Sequence, residues 1–333
     1  MSLKVFSGVI IADPRFTVDL NLKNRSVKEK CDFLDTCAER AEAAFAQLNN
    51  GALASEDLRI LVGPEYLFGL PQSDAGSNVN AYSEEEHEQI VSRCTALSAR
   101  FPQLLMIPGT VLFKRRLTRD QRKQVTEQLQ GKLAAIKKTV GEREPMLVVE
   151  GDRGIKNVRL KGYGIMERLG KRDPRLFGYN RAYVYYGGSR IKTFNKADNA
   201  NEFGAEDPKP TLIPGLSKNI FHYPGRKIKL GLEICADKGR LSSLGEQVDI
   251  RIVISAAILL QNTDVPNSES KLIINCLGSS SSAKYSGALR APEAWTGLPI
   301  TDGPRFKALN LTLEQVPVQH SLRCQVMELD VSK

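Results

Sequence analysis

The stretch Leu58-Arg59-Ile60-Leu61-Val62-Gly63-Pro64-Glu65-Tyr66-Leu67-Phe68 carries the pattern that decides the fold class. Its apolar, β-branched run predicts a buried strand over 58–68, with Pro64 standing directly before a carboxylate. This places Glu65 at the carboxyl end of a strand, where open α/β sheets build their sites. A glutamate in such a position is usually a surface residue, so Glu65 alone indicates no function.

Helices and strands alternate on both sides of this stretch. An apolar run predicts a buried strand over 5–12, and apolar residues at helical spacing predict a helix over 27–48. A second helix, over 83–100, opens with an S-x-x-E capping box, and a further strand is expected over 104–113. This β-α-β-α-β order favours a layered α/β fold.

The second half of the chain is richer in strands. Residues 181–186 and 189–194 flank Gly187-Gly188, which predicts a hairpin with a two-residue turn, whereas 151–178 is expected to be mostly loop. Further strands are predicted over 219–223, 229–234, 250–260, 271–276 and 321–329.

The composition is that of a globular protein, but its charge is concentrated in one segment. The chain has 333 residues, of which 41% are apolar and 26% charged, which excludes a disordered chain or a coiled-coil rod. Residues 114–143 hold ten Lys and Arg against three Asp and Glu, so they carry +7 of the net +9. We interpret 114–178 as an insertion in a single domain over 1–333, containing a basic helix over 117–140 that opens with Thr118-x-x-Gln121.

Partners and location follow from what the sequence lacks. The basic helix is interpreted as a solvated face, and nucleic acid is not expected, because no RNP, zinc-finger or helix-turn-helix signature accompanies it. The longest apolar run, 252–260, is about half of what spans a bilayer, so no membrane association is expected. The first residues lack a signal-peptide core, and six cysteines without a C-x-x-C pair predict a reducing cytoplasm and no structural metal.

Two more chemistry-bearing residues stand at predicted strand ends. Lys196 ends the second arm of the hairpin, and Cys235 ends the strand over 229–234, two residues before Asp237. Taken singly, Lys196 is an ordinary strand-end charge and Cys235 a small buried hydrophobe. A thiol becomes a nucleophile when a neighbouring base or cation activates it. Cys235 is therefore either a small buried hydrophobe or a nucleophile, depending on the side chains around it.

In this order the three residues resemble the catalytic set of the nitrilase superfamily, the carbon–nitrogen hydrolases. The matching motifs are Pro64-Glu65, Asn195-Lys196 and Ile234-Cys235-Ala236-Asp237, and the segments 180–184, 211–215 and 254–257 resemble the family's flanking motifs. The resemblance covers roughly 1–113 and 179–260.

The resemblance implies a chemistry. Cys235 would be the nucleophile, Glu65 the general base, and Lys196 would stabilise the oxyanion together with a backbone N–H near Ala236. Water would then cleave a thioester intermediate, and neither a cofactor nor a metal would be needed. The family often adds a second glutamate, for which Glu206 is the first choice and Glu202 the second, with a solvated loop acid as the equal alternative.

The resemblance also implies an architecture and a substrate class. It predicts a four-layer α-β-β-α sandwich that forms a homodimer or a larger homo-oligomer. True nitrilases place Trp-Glu after the cysteine, whereas Ala236-Asp237 stand here, so a linear amide or carbamoyl substrate is expected instead of a nitrile. The family's R-A-x-E-N helix is missing, which marks a divergent member.

Two other functions compete with this one. A catalytically silent nitrilase-like protein could bind an acidic partner through the basic helix, with salt-sensitive affinity. A Ser- or His-dependent hydrolase is the weakest hypothesis, because the sequence lacks a G-x-S-x-G elbow.

Overall fold

The computed structural model describes residues 2–12, 25–71, 79–125, 127, 159–160, 164–165, 175–197, 210–215, 217, 219–238, 241, 246–256, 270–278, 285–289, 306–314 and 320–330. Within these ranges the chain is a mixed α/β protein whose long helices are α1 (Val27–Leu48) and α2 (Glu84–Arg100). The strands are β1 (Ser2–Ile11), β2 (Leu58–Val62), β3 (Leu70–Pro71), β4 (Val79–Asn80), β5 (Leu104–Ile107), β6 (Thr110–Arg116), β7 (Arg159–Leu160), β8 (Gly164–Ile165), β9 (Leu176–Tyr186), β10 (Ser189–Asn195), β11 (Thr211–Leu212), β12 (Ile220–His222), β13 (Lys229–Ile234), β14 (Val248–Ser255), β15 (Ser270–Leu277), β16 (Gly287–Leu289), β17 (Phe306–Glu314) and β18 (His320–Asp330).

The larger sheet has the order β10-β9-β5-β2-β1-β18-β17, with β6 and β11 also paired to β9. Its centre is parallel, because β1 pairs with β2 and β2 with β5 in the same direction. On its other side β1 pairs antiparallel with β18, in a register that runs from Ser2↔Asp330 to Ile11↔Ser321.

The smaller sheet has the order β12-β13-β14-β15-β16. Strands β13, β14 and β15 are parallel, and both outer strands run antiparallel to them. Parallel strands are usually buried on both faces, and the apolar β14 sequence Ile250-Arg251-Ile252-Val253-Ile254 fits that environment.

Two hydrophobic cores lie on opposite faces of the larger sheet. On one face Phe6 of β1 packs with Phe45 of α1, whose ring lies 5.5 Å from it. On the other face Val9 packs in one cluster with Leu232 and Ile252 of the smaller sheet. The described residues therefore form three layers: the helices pack on one face of the larger sheet, and the smaller sheet packs on its other face. The four-layer sandwich stays a prediction.

The three predicted helix starts are confirmed by their caps. Ser26 and Glu29 form a capping box at α1, and Ser83 and Glu86 form the predicted one at α2. The backbone N–H of Thr118 donates to the Gln121 side chain at 2.9 Å, and residues 119–125 are helical. Residue 127 is also helical, and the remaining residues of the predicted basic helix, 126 and 128–140, lie outside the described part of the chain.

Two predicted strands end or break at a Gly-Pro or Pro-Gly pair. The strand predicted over 58–68 ends at Val62, since a turn begins after Gly63-Pro64. The strand predicted over 104–113 is two strands, β5 and β6, because Gly109 between them has a φ of +85° that favours glycine. A Cβ at Gly109 would lie 1.9 Å from the carbonyl oxygen of Pro64, so this break lets the Pro64-Glu65 turn approach.

Strand β9 corrects the predicted loop over 151–178, since it begins at Leu176, inside that range. It pairs antiparallel with β6, and the Leu117 N–H donates to the Arg175 carbonyl at 2.8 Å. The segment between β6 and β9 therefore leaves and rejoins the larger sheet at adjacent strands. Strand β17 was not predicted, although Leu309, Leu311 and Leu313 alternate with polar residues along it.

No helix in the described ranges is both long and apolar enough to cross a lipid bilayer.

Candidate active site

The three predicted site residues come together at one end of the two sheets. Glu65 lies in the turn that follows β2, and Lys196 directly follows β10. Cys235 directly follows β13 and opens a short 3-10 turn, Cys235–Asp237. Two of these strands belong to the larger sheet and one to the smaller, so the site forms where the sheets face each other.

Glu65 and Lys196 form a buried ion pair. The Lys196 Nζ donates to the Glu65 Oε1 at 2.8 Å, and both residues are 0% exposed. Two more donors hold the same carboxylate: the Asn180 Nδ2 lies 3.0 Å from Oε1, and the Ala256 N–H lies 3.3 Å from Oε2. A buried charge is costly unless it is paired and hydrogen-bonded, and Glu65 satisfies both conditions.

Cys235 is a buried, protonated thiol beside this pair. Burial, followed by the negative charge of Glu65, raises the pKa of Cys235 to about 12, whereas the Lys196 charge acts in the opposite direction. The Ser255 hydroxyl lies 3.4 Å from the sulfur and also favours the thiolate. Cys235 as a whole is 6% exposed.

The backbone at Cys235 is unusual. Its φ of +50° lies in the left-handed region, which costs a non-glycine residue roughly 1–2 kcal/mol. A strained conformation at a strand end aims the side chain away from the sheet plane, and such strain clusters at functional sites. Tyr66, next to Glu65, shares this conformation with a φ of +61°.

Hydrogen bonds to the backbone hold the Lys196 segment in place. Both carboxylate oxygens of Asp237 accept from the Ala197 N–H, at 3.1 and 2.9 Å, which ties the Cys235 turn to the Lys196 segment. The Gly215 N–H donates to the Lys196 carbonyl at 2.9 Å. The backbone of the lysine segment is therefore held from two sides, and the contact with Glu65 places the buried Nζ.

A second buried ion pair supports the Cys235 turn from the outer face of the smaller sheet. The Arg251 Nε donates to the Glu233 Oε2 at 2.8 Å, and both side chains are 1% exposed. The other oxygen of Glu233 accepts from the Leu241 N–H at 2.7 Å. Glu233 thus anchors the chain just after the Cys235 turn to the strand just before it.

Two polar groups of the site were not singled out from the sequence. Asn180 and Ser255 stand inside the matched flanking segments 180–184 and 254–257, and their strand positions alternate with apolar residues. A buried polar residue in an apolar strand was the signal that could have identified them.

The remaining predictions for the site concern residues that the structure leaves untested. Glu206 and Glu202, the two choices for a second glutamate, lie outside the described residues. Within the described ranges, no three His, Cys, Asp or Glu side chains gather closely enough to hold a metal ion.

The arrangement can carry out acyl transfer to a thiol. A carboxylate lies next to a protonated thiol, where it can accept the proton, and an ammonium group lies on the same carboxylate, where it can stabilise a developing oxyanion. No family model matches the sequence, and a search of curated proteins finds no match to it.

Proposed function

We propose that this protein is a thiol-dependent hydrolase of non-peptide C–N bonds and a divergent member of the nitrilase superfamily. Its substrate would be a small linear amide or carbamoyl compound. The observation that carries the proposal is the buried Glu65–Lys196 pair, with its 2.8 Å contact, beside the Cys235 thiol. Replacing a buried ion pair by apolar residues of similar volume is often neutral or stabilising. Packing alone therefore does not explain why Glu65, Lys196 and Cys235 occur together.

The raised pKa of Cys235 defines the first step. Since the resting thiol is protonated, it would attack the substrate carbonyl as its proton passes to Glu65. The new S–C bond turns the carbonyl oxygen into an oxyanion, which Lys196 and a backbone N–H near Ala236 would stabilise.

The later steps return the site to its starting state. The tetrahedral intermediate collapses as its C–N bond breaks, and protonated Glu65 gives its proton to the leaving amine or ammonia. Glu65 would next accept a proton from water as that water attacks the thioester. Breaking the S–C bond releases the acid, and Glu65 gives the proton it took from water to the departing sulfur, which restores the Cys235 thiol and the Glu65 carboxylate.

The four-layer sandwich belongs to the same proposal. The face of the smaller sheet that points away from the larger one carries Arg251, Val253 and Ile273, which are 1%, 1% and 0% exposed. A face this well covered fits an outer helical layer. We also propose a homodimer in the cytoplasm, a reducing compartment that suits six free, buried cysteines.

The direct test combines turnover with trapping of the intermediate. The purified protein is incubated with a panel of linear amides and carbamoyl compounds, and amine or ammonia release is measured. Intact-protein mass spectrometry then searches for an acyl group on Cys235. We expect Cys235→Ala to abolish both signals while circular dichroism shows an unchanged fold.

Cys324→Ala is the matched control, because Cys324 is another buried free thiol but belongs to the core on the opposite face of the larger sheet from Cys235. It should retain turnover. Amine release that persists in Cys235→Ala would overturn the proposal. A wild-type protein that turns over no substrate and forms no acyl adduct would favour the catalytically silent alternative.

A further inference from the structure

Three arginines converge on the helix-facing side of strands β6, β9 and β10, away from the candidate active site. Arg115, Arg181 and Arg190 each come from a different one of these strands. Each guanidinium lies over the ring of a buried tyrosine: Arg115 and Arg181 cover Tyr179, at 5.4 and 4.5 Å, and Arg190 covers Tyr183 at 5.4 Å. Because two of the guanidiniums share one ring, their charges are at most about 10 Å apart.

The aromatic residues beneath these arginines are rigidly packed. His87 of α2 stacks on Phe113 at 3.8 Å, and Phe113 stacks on Tyr179 at 4.8 Å. The His87 Nε2 also hydrogen-bonds the Tyr183 hydroxyl. These rings are almost fully buried, so they cannot stack on a ligand; they serve as the floor on which the guanidiniums rest.

The positive charge of this cluster is poorly compensated. Among the described residues, the single carboxylate in ion-pair contact with any of the three arginines is Glu84, whose Oε1 lies 3.2 Å from the Arg115 Nη1. Arg181 binds a neutral partner, since its Nε donates to the Asn195 Oδ1 at 2.7 Å. Burial first, and then the charges of all three arginines, lower the pKa of His87 to about 4.

We propose that Arg115, Arg181 and Arg190 form a binding site for a ligand with two or more adjacent phosphate groups. Guanidinium groups present paired N–H donors that match phosphate oxygens, and stacking on aromatic rings holds those donors in place before binding. Arg190 is exposed and the other two are half-buried, so the charges remain open to solvent. A chain of phosphates supplies enough anionic oxygens for three guanidiniums, whereas a single carboxylate engages one.

The test measures binding of inorganic tripolyphosphate by isothermal titration calorimetry at low and high salt. We expect binding at low salt that weakens as salt rises, and a loss of about tenfold or more in Arg181→Gln/Arg190→Gln. Arg181→Lys should lose several-fold, because a lysine keeps the charge but not the planar donor pair. A parallel titration with a nucleoside triphosphate asks whether the polyphosphate belongs to a nucleotide.

Two control variants make the result specific. Arg226→Gln removes an exposed arginine in a turn of the smaller sheet and should bind as the wild type does. Arg119→Gln/Lys123→Gln removes charge from the described start of the basic helix and should also have little effect. If the basic-helix variant loses binding while the cluster variant keeps it, or if tripolyphosphate does not bind at low salt, the proposal is wrong.

The imidazole of His87 offers a second readout. A bound anion would offset the arginine charges that disfavour the imidazolium, so the pKa of His87 should rise from about 4 when tripolyphosphate is added. Nuclear magnetic resonance can follow this titration, because the chain has three histidines. An unchanged pKa at saturating tripolyphosphate would place the ligand elsewhere.

Discussion

At the scale of single residues, Cys235 lies beside two charges that shift its pKa in opposite directions. The Glu65 carboxylate raises the pKa of the thiol and the Lys196 ammonium lowers it, with burial adding the largest rise. In the proposed reaction, transfer of the proton from the sulfur to Glu65 neutralises the carboxylate that raises the pKa of the thiol. The Lys196 charge, which favours the thiolate, then remains. The resting enzyme would then hold little thiolate and resist non-specific alkylation.

This opposition predicts two shifts of opposite sign. Glu65→Gln removes the negative charge and should lower the pKa of Cys235, whereas Lys196→Met removes the positive charge and should raise it. The measurement is the pH dependence of iodoacetamide alkylation at each cysteine, read by mass spectrometry, with unfolded protein as the reference for accessibility. Both variants should lose turnover.

Cys324 is the internal control for that experiment, because burial alone raises its pKa to about 12. Its alkylation profile should not change in either variant. If the pKa of Cys235 moves in the same direction in both variants, altered packing and not charge controls the thiol, and the assigned roles of Glu65 and Lys196 would have to be abandoned.

The sequence predicted the three charged or nucleophilic residues of the site but not the groups that hold them. Glu65, Lys196 and Cys235 could be found because each follows a predicted strand and stands in a short motif that resembles one family's motifs. The contacts of Asn180 and Ser255 could not be predicted. Asn180 binds Glu65, which is 115 positions away in the sequence, and Ser255 binds Cys235, which is 20 positions away. Such contacts depend on the order of the strands in the sheets.

At the scale of elements, the junctions after strands decide the geometry of the site. Gly215 follows β11 and lies so close to the end of β10 that a Cβ on it would be 1.8 Å from the Asn195 carbonyl oxygen. Its own N–H donates to the Lys196 carbonyl at 2.9 Å. Because Gly215 has no side chain, its backbone can approach closely enough to hold the Lys196 backbone in this position.

We expect Gly215→Ala to displace Lys196 and to slow both turnover and the alkylation of Cys235, because a clash with backbone cannot be relieved by a side-chain rotation. Gly225→Ala is the comparison. Its φ of +70° gives the alanine a conformational cost, but no atom of the described part of the chain beyond its two neighbours lies within 4 Å of the added Cβ. Circular dichroism and urea unfolding separate the two effects. Equal losses of activity in both variants would refute the close-contact explanation.

The Arg251–Glu233 pair makes a stability prediction for β13 and β14. Arg251→Met leaves the Glu233 carboxylate buried without the arginine charge and should lower the free energy of unfolding by about 3–5 kcal/mol. Arg251→Met/Glu233→Gln removes both charges and keeps an acceptor for the Leu241 N–H, so it should recover part of that loss. Urea unfolding measures both.

The exposed pair Lys28–Asp32 is the control for this prediction, since its side chains are 66% and 54% exposed. Lys28→Met should change the unfolding free energy by less than about 0.5 kcal/mol. A double variant no more stable than Arg251→Met would show that the loss comes from packing and not from the unpaired charge.

Secondary structure was predicted best where the local pattern was strong. The α1 boundaries, the capping boxes and the Gly187-Gly188 hairpin agree with the structure, because each depends on nearby residues. The break at Gly109 depends on room for the Pro64 turn from a neighbouring strand, and β17 depends on pairing with β18. Such long-range causes leave only a weak trace in a local pattern.

At the scale of the whole molecule, stability should depend on pH through Lys30 of α1. Its ammonium group is 0% exposed and donates to the Gly69 carbonyl at 2.6 Å, and burial lowers the pKa of Lys30 from 10.5 to about 7. Between these two values the unfolded chain binds the proton and the folded chain does not. The contribution of Lys30 to stability therefore rises with pH over this window, and its full penalty applies below pH 7.

The test compares wild type with Lys30→Met by urea unfolding at pH 7, 8 and 9. Relative to the variant, the wild type should gain about 1 kcal/mol of unfolding free energy per pH unit. Subtracting the two curves removes the contributions of tyrosines and thiols that both proteins share. A difference that stays constant with pH would mean that Lys30 remains protonated in the folded state.

The pairing of β1 with β18 has a consequence for synthesis on the ribosome. Strand β1 pairs with β2 on one edge and with β18 on the other, where Ser2 pairs with Asp330. The β2 edge can form early in synthesis. The β18 edge can form only after more than three hundred further residues have been translated. At ordinary elongation rates that wait is roughly 15–60 s. During this time one edge of β1 presents unpaired backbone N–H and C=O groups, which are a template for pairing with other chains until β18 is made.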